Sequence, residues 1–171
     1  MENRIAMFRK VSFEQYYKDY VKCFGAANKE LVKYVYDHIK LPKRATSGSG
    51  AYDFYAPETM SLKINGNKTI PTGICAVIQE GWALLLLPRS GHGFKYGISL
   101  GNSVGLIDSD FSGSDNEGHI HVKFLNDSCI AQDMVIQANE AMCQGMFVPY
   151  GLTLDDNATE KRNGGFGSTS K

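Results

Sequence analysis

The feature that most constrains this chain is a change of rhythm at Pro42. Beyond it, short apolar stretches at residues 52–55, 74–78, 83–87, 122–125, 134–136 and 146–148 alternate with clusters of Gly, Asn, Pro and Ser. Several short strands with turn formers between them point to a sandwich or barrel rather than to βαβ units. Ahead of Pro42 the pattern differs. Residues 4–11 have the composition of a first strand, and Ser12 then opens S-F-E-Q, a capping box in which Gln15 can reach back to the N-cap amide. Phe13, Tyr16 or Tyr17, Tyr20 and Phe24 recur at helical spacing before Gly25, a natural C-cap. A second helical pattern starts at Asn28, places Leu31, Val32, Val35, Tyr36 and Ile39 on one side, and ends before Pro42. Residues 12–40 therefore read as a helical hairpin. The tail, residues 155–171, is polar and glycine-rich with Phe166 as its only aromatic, too little apolar surface to order itself. With no internal repeat and no linker, residues 1–171 read as one domain.

The bulk properties narrow the class. A chain of 171 residues can bury one real core. Eighteen basic residues balance eighteen acidic ones, so no global field points to nucleic acid or a membrane surface. Cys23, Cys75, Cys129 and Cys143 form no CxxC pair and read as reduced, mostly buried thiols. Neither a membrane-length apolar run nor the apolar region of a signal peptide is visible, and a cytoplasmic location is expected.

Three constellations carry chemistry. Pro88-Arg89-Ser90-Gly91 follows the strand pattern ALLLL: a guanidinium fork, a hydroxyl and a glycine amide at a strand end suit a phosphate, although a surface turn has the same composition. Residues 101–111, GNSVGLIDSDF, read as a tight hairpin with exposed backbone groups that can read a base edge. In it Asp108 is the candidate general base; ordinary turn chemistry gives similar Asp-Ser-Asp runs. Residues 163–169, NGGFGST, suit a flap that stacks an aromatic on a base while hydroxyls and amides hold phosphate, and equally suit a polar terminus.

Taken in order, these elements resemble the five motifs of the trimeric dUTPase family. LPKRATSGSGAYDFY at residues 41–55 is similar to the first, PRSG to the second, GLIDSDF with its upstream GN to the third, NEAMCQ at 139–144 to the fourth and GGFGST to the fifth. The resemblance covers about three-quarters of the chain. It implies a mainly-β, jelly-roll-like β-barrel assembled as a homotrimer, with active sites at the subunit interfaces. The activity it implies is that of a dUTP diphosphatase: hydrolysis of dUTP to dUMP and pyrophosphate by in-line attack of water on the α-phosphorus, with Mg2+ on the triphosphate.

Carried over position by position, the resemblance makes Asp108 the base that activates water. Asn102, Gly105, Leu106 and Ile107 would hold uracil and deoxyribose, with Phe111 against the sugar in place of the usual Tyr and His121 near the sugar pocket. Arg89, Ser90, Gly91 and Gln144 would bind phosphates, and Asp53 would orient waters around magnesium. Phe166 would stack over uracil, with Gly167, Ser168 and Thr169 closing on the phosphates. Arg162 or Lys161 would take the fifth motif's arginine role.

Several positions depart from the family pattern. Gly50-Ala51 stands for the usual Ala-Gly, Ala141 stands where Arg is usual, and SDNEG at 114–118 lengthens the third motif's hairpin. His119 and His121 share a strand face, but the further ligands of a zinc site are not visible in the sequence. The helical hairpin lies outside the motifs and reads as accessory; its tyrosines, at 16, 17, 20, 34 and 36, leave a regulatory protein partner open. The rival enzyme is a dCTP deaminase of the same fold. That family uses a glutamate in the strand that here reads HIHVKF, which has none, although Glu117 lies just before it.

Overall fold

The structure, a computed structural model, describes residues 4–127 and 132–160. It is mainly β. The elements run β1 (Ala6–Lys10), α1 (Phe13–Phe24), α2 (Lys29–Asp37), β2 (Tyr52–Tyr55), β3 (Met60–Leu62), β4 (Asn67–Pro71), β5 (Ile74–Ile78) and β6 (Trp82–Pro88). There follow α3 (Ser90–Tyr96), β7 (Ile98–Leu100), β8 (Gly105–Ile107), a 3-10 turn (Ser109–Gly113), β9 (His121–Asn126), β10 (Met134–Ile136) and β11 (Ala141–Pro149).

Among the described residues the strands form four sheets: β2-β11-β6-β8, β4-β9-β7, β1-β5 and β10-β3. No one of these sheets closes into a barrel. Strands of three residues, such as β3, β7, β8 and β10, end before their ladders can pass to the next sheet. The sheets share one core, with Phe54, Leu84, Ile120, Phe124 and Met142 all at most 1% exposed. Alternation along β9 sorts the faces: Val122, Phe124 and Asn126 point inward, while His121, Lys123 and Leu125 take the more open side.

The two helices start as their sequences require, with one difference. At α1 the Ser12 hydroxyl accepts from the Gln15 amide at 3.1 Å, as an N-cap should. The return arm is not Gln15, whose side chain donates instead to Asp19 at 2.6 Å. Glu117 replaces it from far along the chain, accepting from the Ser12 amide at 2.7 Å and from its hydroxyl at 2.6 Å. Gly25, at φ 86°, closes the helix with its N–H on the Val21 carbonyl. Asn28 caps α2, accepting from the Glu30 and Leu31 amides.

Helix α2 ends at Asp37 with His38 as its cap, earlier than Pro42 alone demands. Val32 and Ile39 are buried, but Leu31 is 67% exposed, so the apolar stripe is narrower than its spacing suggests. Most of the tyrosines turn inward. Tyr16 is buried, Tyr36 donates to the Val11 carbonyl, Tyr17 to the Ala27 carbonyl and Tyr20 to Glu58; Tyr34 stays exposed. No helix among the described residues is long and apolar enough to cross a membrane.

Candidate active site

Strand β11 lies between β2 and β6, and that arrangement gathers the first group of candidate residues. In register, Gln144 faces Asp53 on one side and Leu87 on the other. Arg89 follows the last residue of β6, its Nε 3.4 Å from Asp53 Oδ1 and its NH1 donating to the Ala141 carbonyl at 3.2 Å. Gln144 donates to the Pro88 carbonyl at 3.2 Å. A guanidinium held from two directions, with 37% of its side chain still exposed, has donors left over for an anion. The Ala141 carbonyl reaches Arg89 beside a shift of register between Ala141 and Cys143. Beneath it Cys143 is fully buried, and that burial pushes its thiol far above the ordinary value.

Ser90 and Gly91 begin a short helix rather than a surface turn. Helix α3 is easy to overlook, because two of its seven residues are glycine. Gly97, in the left-handed region at φ 64°, ends it, and buried His92 anchors it through Nδ1 to the Met142 carbonyl at 3.2 Å.

The 101–111 segment is not a two-stranded hairpin. Residues 101–104 form a turn, and β8 then pairs with β6, setting Gly105 opposite Leu86, Leu106 opposite Leu85 and Ile107 opposite Leu84. A Cβ on Gly105 would lie 3.0 Å from Leu86 Cβ, so a glycine lets β8 approach closely. Leu106 points outward at 59% exposure. Asp108 leaves the strand in extended conformation just ahead of the 3-10 turn. Phe111 is buried at 6% exposure within the core, so its ring supports the turn from below.

Two clefts flank this segment. Asp108, Ser109 and Asp110 line one of about 590 Å³, together with Tyr150 and Leu152 after β11 and Asp156 and Ala158 from the start of the tail. Asn102 and His121 line another of about 240 Å³ with Thr69, Gly101 and Lys123. A further cavity, about 640 Å³, lies between Arg4, Arg44, Tyr52 and Phe147 and contains no candidate residue. Within one chain, then, the candidates stand in three groups: Arg89 with Asp53 and Gln144, Asn102 with His121, and Asp108 beside the tail. Lys161, Arg162, Phe166, Gly167, Ser168 and Thr169 lie outside the described residues.

Sequence reasoning missed one polar cluster. Asp19 of α1 meets His119 and His121, and these three could together offer ligand atoms to a metal ion. Burial alone would raise the Asp19 carboxyl, but hydrogen bonds from His119, His121 and Gln15 hold it well below the usual range. Burial pushes the His119 imidazole below its ordinary value, against the pull of Asp19.

Fold and site define a small, mainly-β protein that carries its polar groups on strand ends and turns. The family model described as dUTPase matches residues 37–170. The chain belongs to the dUTPase family. It is 41% identical over 142 residues to the deoxyuridine 5'-triphosphate nucleotidohydrolase of Lactococcus lactis subsp. lactis, covering 81% of this chain and 93% of that one. Among solved structures, the dUTPase from Streptococcus mutans superposes with a TM-score of 0.62 at 31% identity, covering 85% of this chain and 97% of the other. A dUTPase of phage phi11 of S. aureus, described as coordinating a structural Mg(II) ion, matches in fold at 18% identity with a TM-score of 0.61, over 92% of this chain and 98% of its own.

Proposed function

We propose that this chain hydrolyses dUTP to dUMP and pyrophosphate as a homotrimer whose active sites are completed between subunits. The observation that carries the reading is the placement of Asp108. It stands at the end of a strand, outside the Arg89–Asp53 pair, beside a cleft lined by the start of the tail. A carboxylate there takes the proton of a water as the water oxygen bonds to the α-phosphorus. The bond to the bridging oxygen breaks, and pyrophosphate leaves with the electron pair. Arg89, Ser90, Gly91 and Gln144 bind the phosphates. Asn102, Gly105, Leu106 and Ile107 bind the nucleoside, with His121 at its edge and Phe111 supporting the turn. The tail, residues 155–171, closes the site through Arg162, Phe166, Gly167, Ser168 and Thr169. Three separate groups within one chain are what an interface-built site requires, because a neighbouring subunit has to bring its own phosphate-binding group to the nucleoside cleft. Helices α1 and α2 form an insertion into this single domain.

Magnesium fits these residues in one way. The three-ligand cluster at Asp19 is buried and rich in nitrogen, whereas Mg2+ takes oxygen donors and keeps several waters. Asp53, with 19% of its side chain exposed and its Oδ1 toward Arg89, suits a carboxylate that holds the ion through water while the substrate's phosphates bind it. When bound, the ion supplies charge neutralisation at the phosphate oxygens.

Incubation with dUTP, dCTP and dTTP, followed by identification of the products, tests the reading. Formation of dUMP and pyrophosphate from dUTP alone is expected; ammonia released from dCTP would move the chain to the deaminases. Against that outcome stands Glu117, both of whose oxygens are engaged by Ser12.

A further inference from the structure

The candidate phosphate ligands meet at one corner, where the end of β6 turns into α3 beside β11. Three side chains tie that corner to residues 141–144. Arg89 NH1 donates to the Ala141 carbonyl, His92 Nδ1 to the Met142 carbonyl and, in the opposite sense, Gln144 Nε2 to the Pro88 carbonyl, each at 3.2 Å. The middle tie compensates for a gap in the sheet. Opposite β2 the register of β11 passes from Ala141 to Cys143, and opposite β6 it begins at Cys143, so Met142 faces no residue in either ladder. Met142 is nevertheless 0% exposed, and a buried carbonyl needs a donor. His92 supplies one.

A carbonyl only accepts, so the His92 ring proton sits on Nδ1. Burial pushes the imidazole below its ordinary value, against the pull of the Met142 carbonyl, and the ring is neutral at neutral pH. His92 is also the only buried residue of α3; Ser90, Gly91, Phe94 and Lys95 are exposed, and a Cβ added at Gly91 would meet nothing within 4 Å. The turn that carries the Ser90 hydroxyl and the Gly91 amide is therefore held from one side, by the residue that follows it. We propose that His92 is a positioning residue of the phosphate site, clamping the Arg89–Gly91 turn to β11 at Met142 so that its donors keep their place beside Gln144. The proposal rests on the reading of these residues as phosphate ligands. It adds to the PRSG motif a residue that lies just outside it.

The imidazole nitrogen chemical shifts of the wild-type protein test it first. The neutral Nδ1–H form of His92 is expected, and the Nε2–H form overturns the proposal. Kinetics on dUTP give the second test, with deoxyuridine as an inhibitor that reports on the nucleoside cleft alone. His92→Leu, which stays apolar but has no donor, should raise KM for dUTP about fivefold, the scale of one hydrogen bond, and leave the deoxyuridine inhibition constant within about twofold. His92→Asn, whose amide nitrogen takes the place of Nδ1, should restore KM even where the smaller side chain lowers the thermal midpoint. His92→Gln, whose amide nitrogen reaches the place of Nε2 instead, should behave as His92→Leu and stands in for it if that variant does not fold. An unchanged KM in the variants without the Nδ1 donor, a deoxyuridine constant that rises in step with KM, or a KM in His92→Asn no better than theirs overturns the proposal. Wild-type protein inert toward dUTP would sink the functional reading and the clamp with it; wild-type turnover with a KM that the variants do not move sinks the clamp alone.

Discussion

Replacing Gly73 by alanine should destabilise the protein by about 2–5 kcal/mol, a magnitude that follows from two separate penalties. Gly73 sits between β4 and β5 at φ 73°, where an L side chain costs about 1–2 kcal/mol. The added methyl would also run into Ile39 Cδ1 and come within 3.3 Å of Tyr16 Cδ2. Both residues are buried, and overpacking of this kind costs about 1–3 kcal/mol. The lower end applies if the tip of Ile39 swings aside. The backbone cannot move to relieve the strain, because the Gly73 carbonyl accepts from Val11 at 3.0 Å and its amide is held by His119. Urea unfolding followed through Trp82 fluorescence, at one fixed protein concentration, measures the change. Gly48→Ala is the control: no atom lies within 4 Å of its added Cβ, and a change within about 0.5 kcal/mol is expected. A loss below about 1 kcal/mol at Gly73 would refute the reasoning that strain and overpacking add at this position.

Asp108→Asn should bind dUTP nearly as wild type and turn over about a hundredfold or more slowly, the scale of a positioned base; near-normal turnover in a single-turnover assay removes Asp108 from the mechanism. Glu117→Gln should cost about 1 kcal/mol in urea unfolding, since an amide offers one acceptor to the two Ser12 donors; no change would mean that the helix start is self-sufficient. Removal of residues 161–171 should abolish turnover while the unfolding midpoint holds, and a lowered midpoint would make the tail structural. Acidification has a defined sign. The folded His119 imidazole refuses a proton that the unfolded chain accepts near 6.5, so its contribution is complete above that pH and declines below it. Asp19, held low, loses its own contribution only in the acid range below the ordinary carboxyl value of 3.8. The thermal midpoint should therefore fall from pH 7.5 to 5.5 and fall less in His119→Gln; a flat or rising profile contradicts the buried neutral imidazole.

Much of the fold was legible because it rests on local pattern. Residues 52–55, 74–78 and 134–136 are strands with the bounds their apolar runs suggest, and Ser12, Gly25 and Asn28 cap helices as their chemistry requires. What escaped has physical reasons. Strand β4 contains Asn67, Lys68 and Thr69, and β3, β7 and β8 span three residues each, too few for a period of two to register. The third-motif segment suggested a hairpin because turn formers bracket it, yet β8 pairs with β6, a partner that local sequence cannot name. The five motifs name candidate residues without placing them, and the separation of Asp108 from Arg89 emerges only with the sheets. His119 and His121 stood out as a pair; Asp19, their third member, lies 100 residues away on a helix whose spacing advertises only its aromatic face.

The bond between Ser12 and Glu117 spans 105 residues, and the one between Asp19 and His119 spans 100. On a translating ribosome adding about 5–20 residues each second, α1 emerges about 5–20 s before either partner exists. Through that interval its cap lacks Glu117, and its buried carboxylate lacks the histidine that later screens it from the core. Helix α1 therefore gains these two partners only once the chain has reached residues 117–119, whereas Tyr16 can meet Tyr20 and Tyr36 within the helical pair well before then.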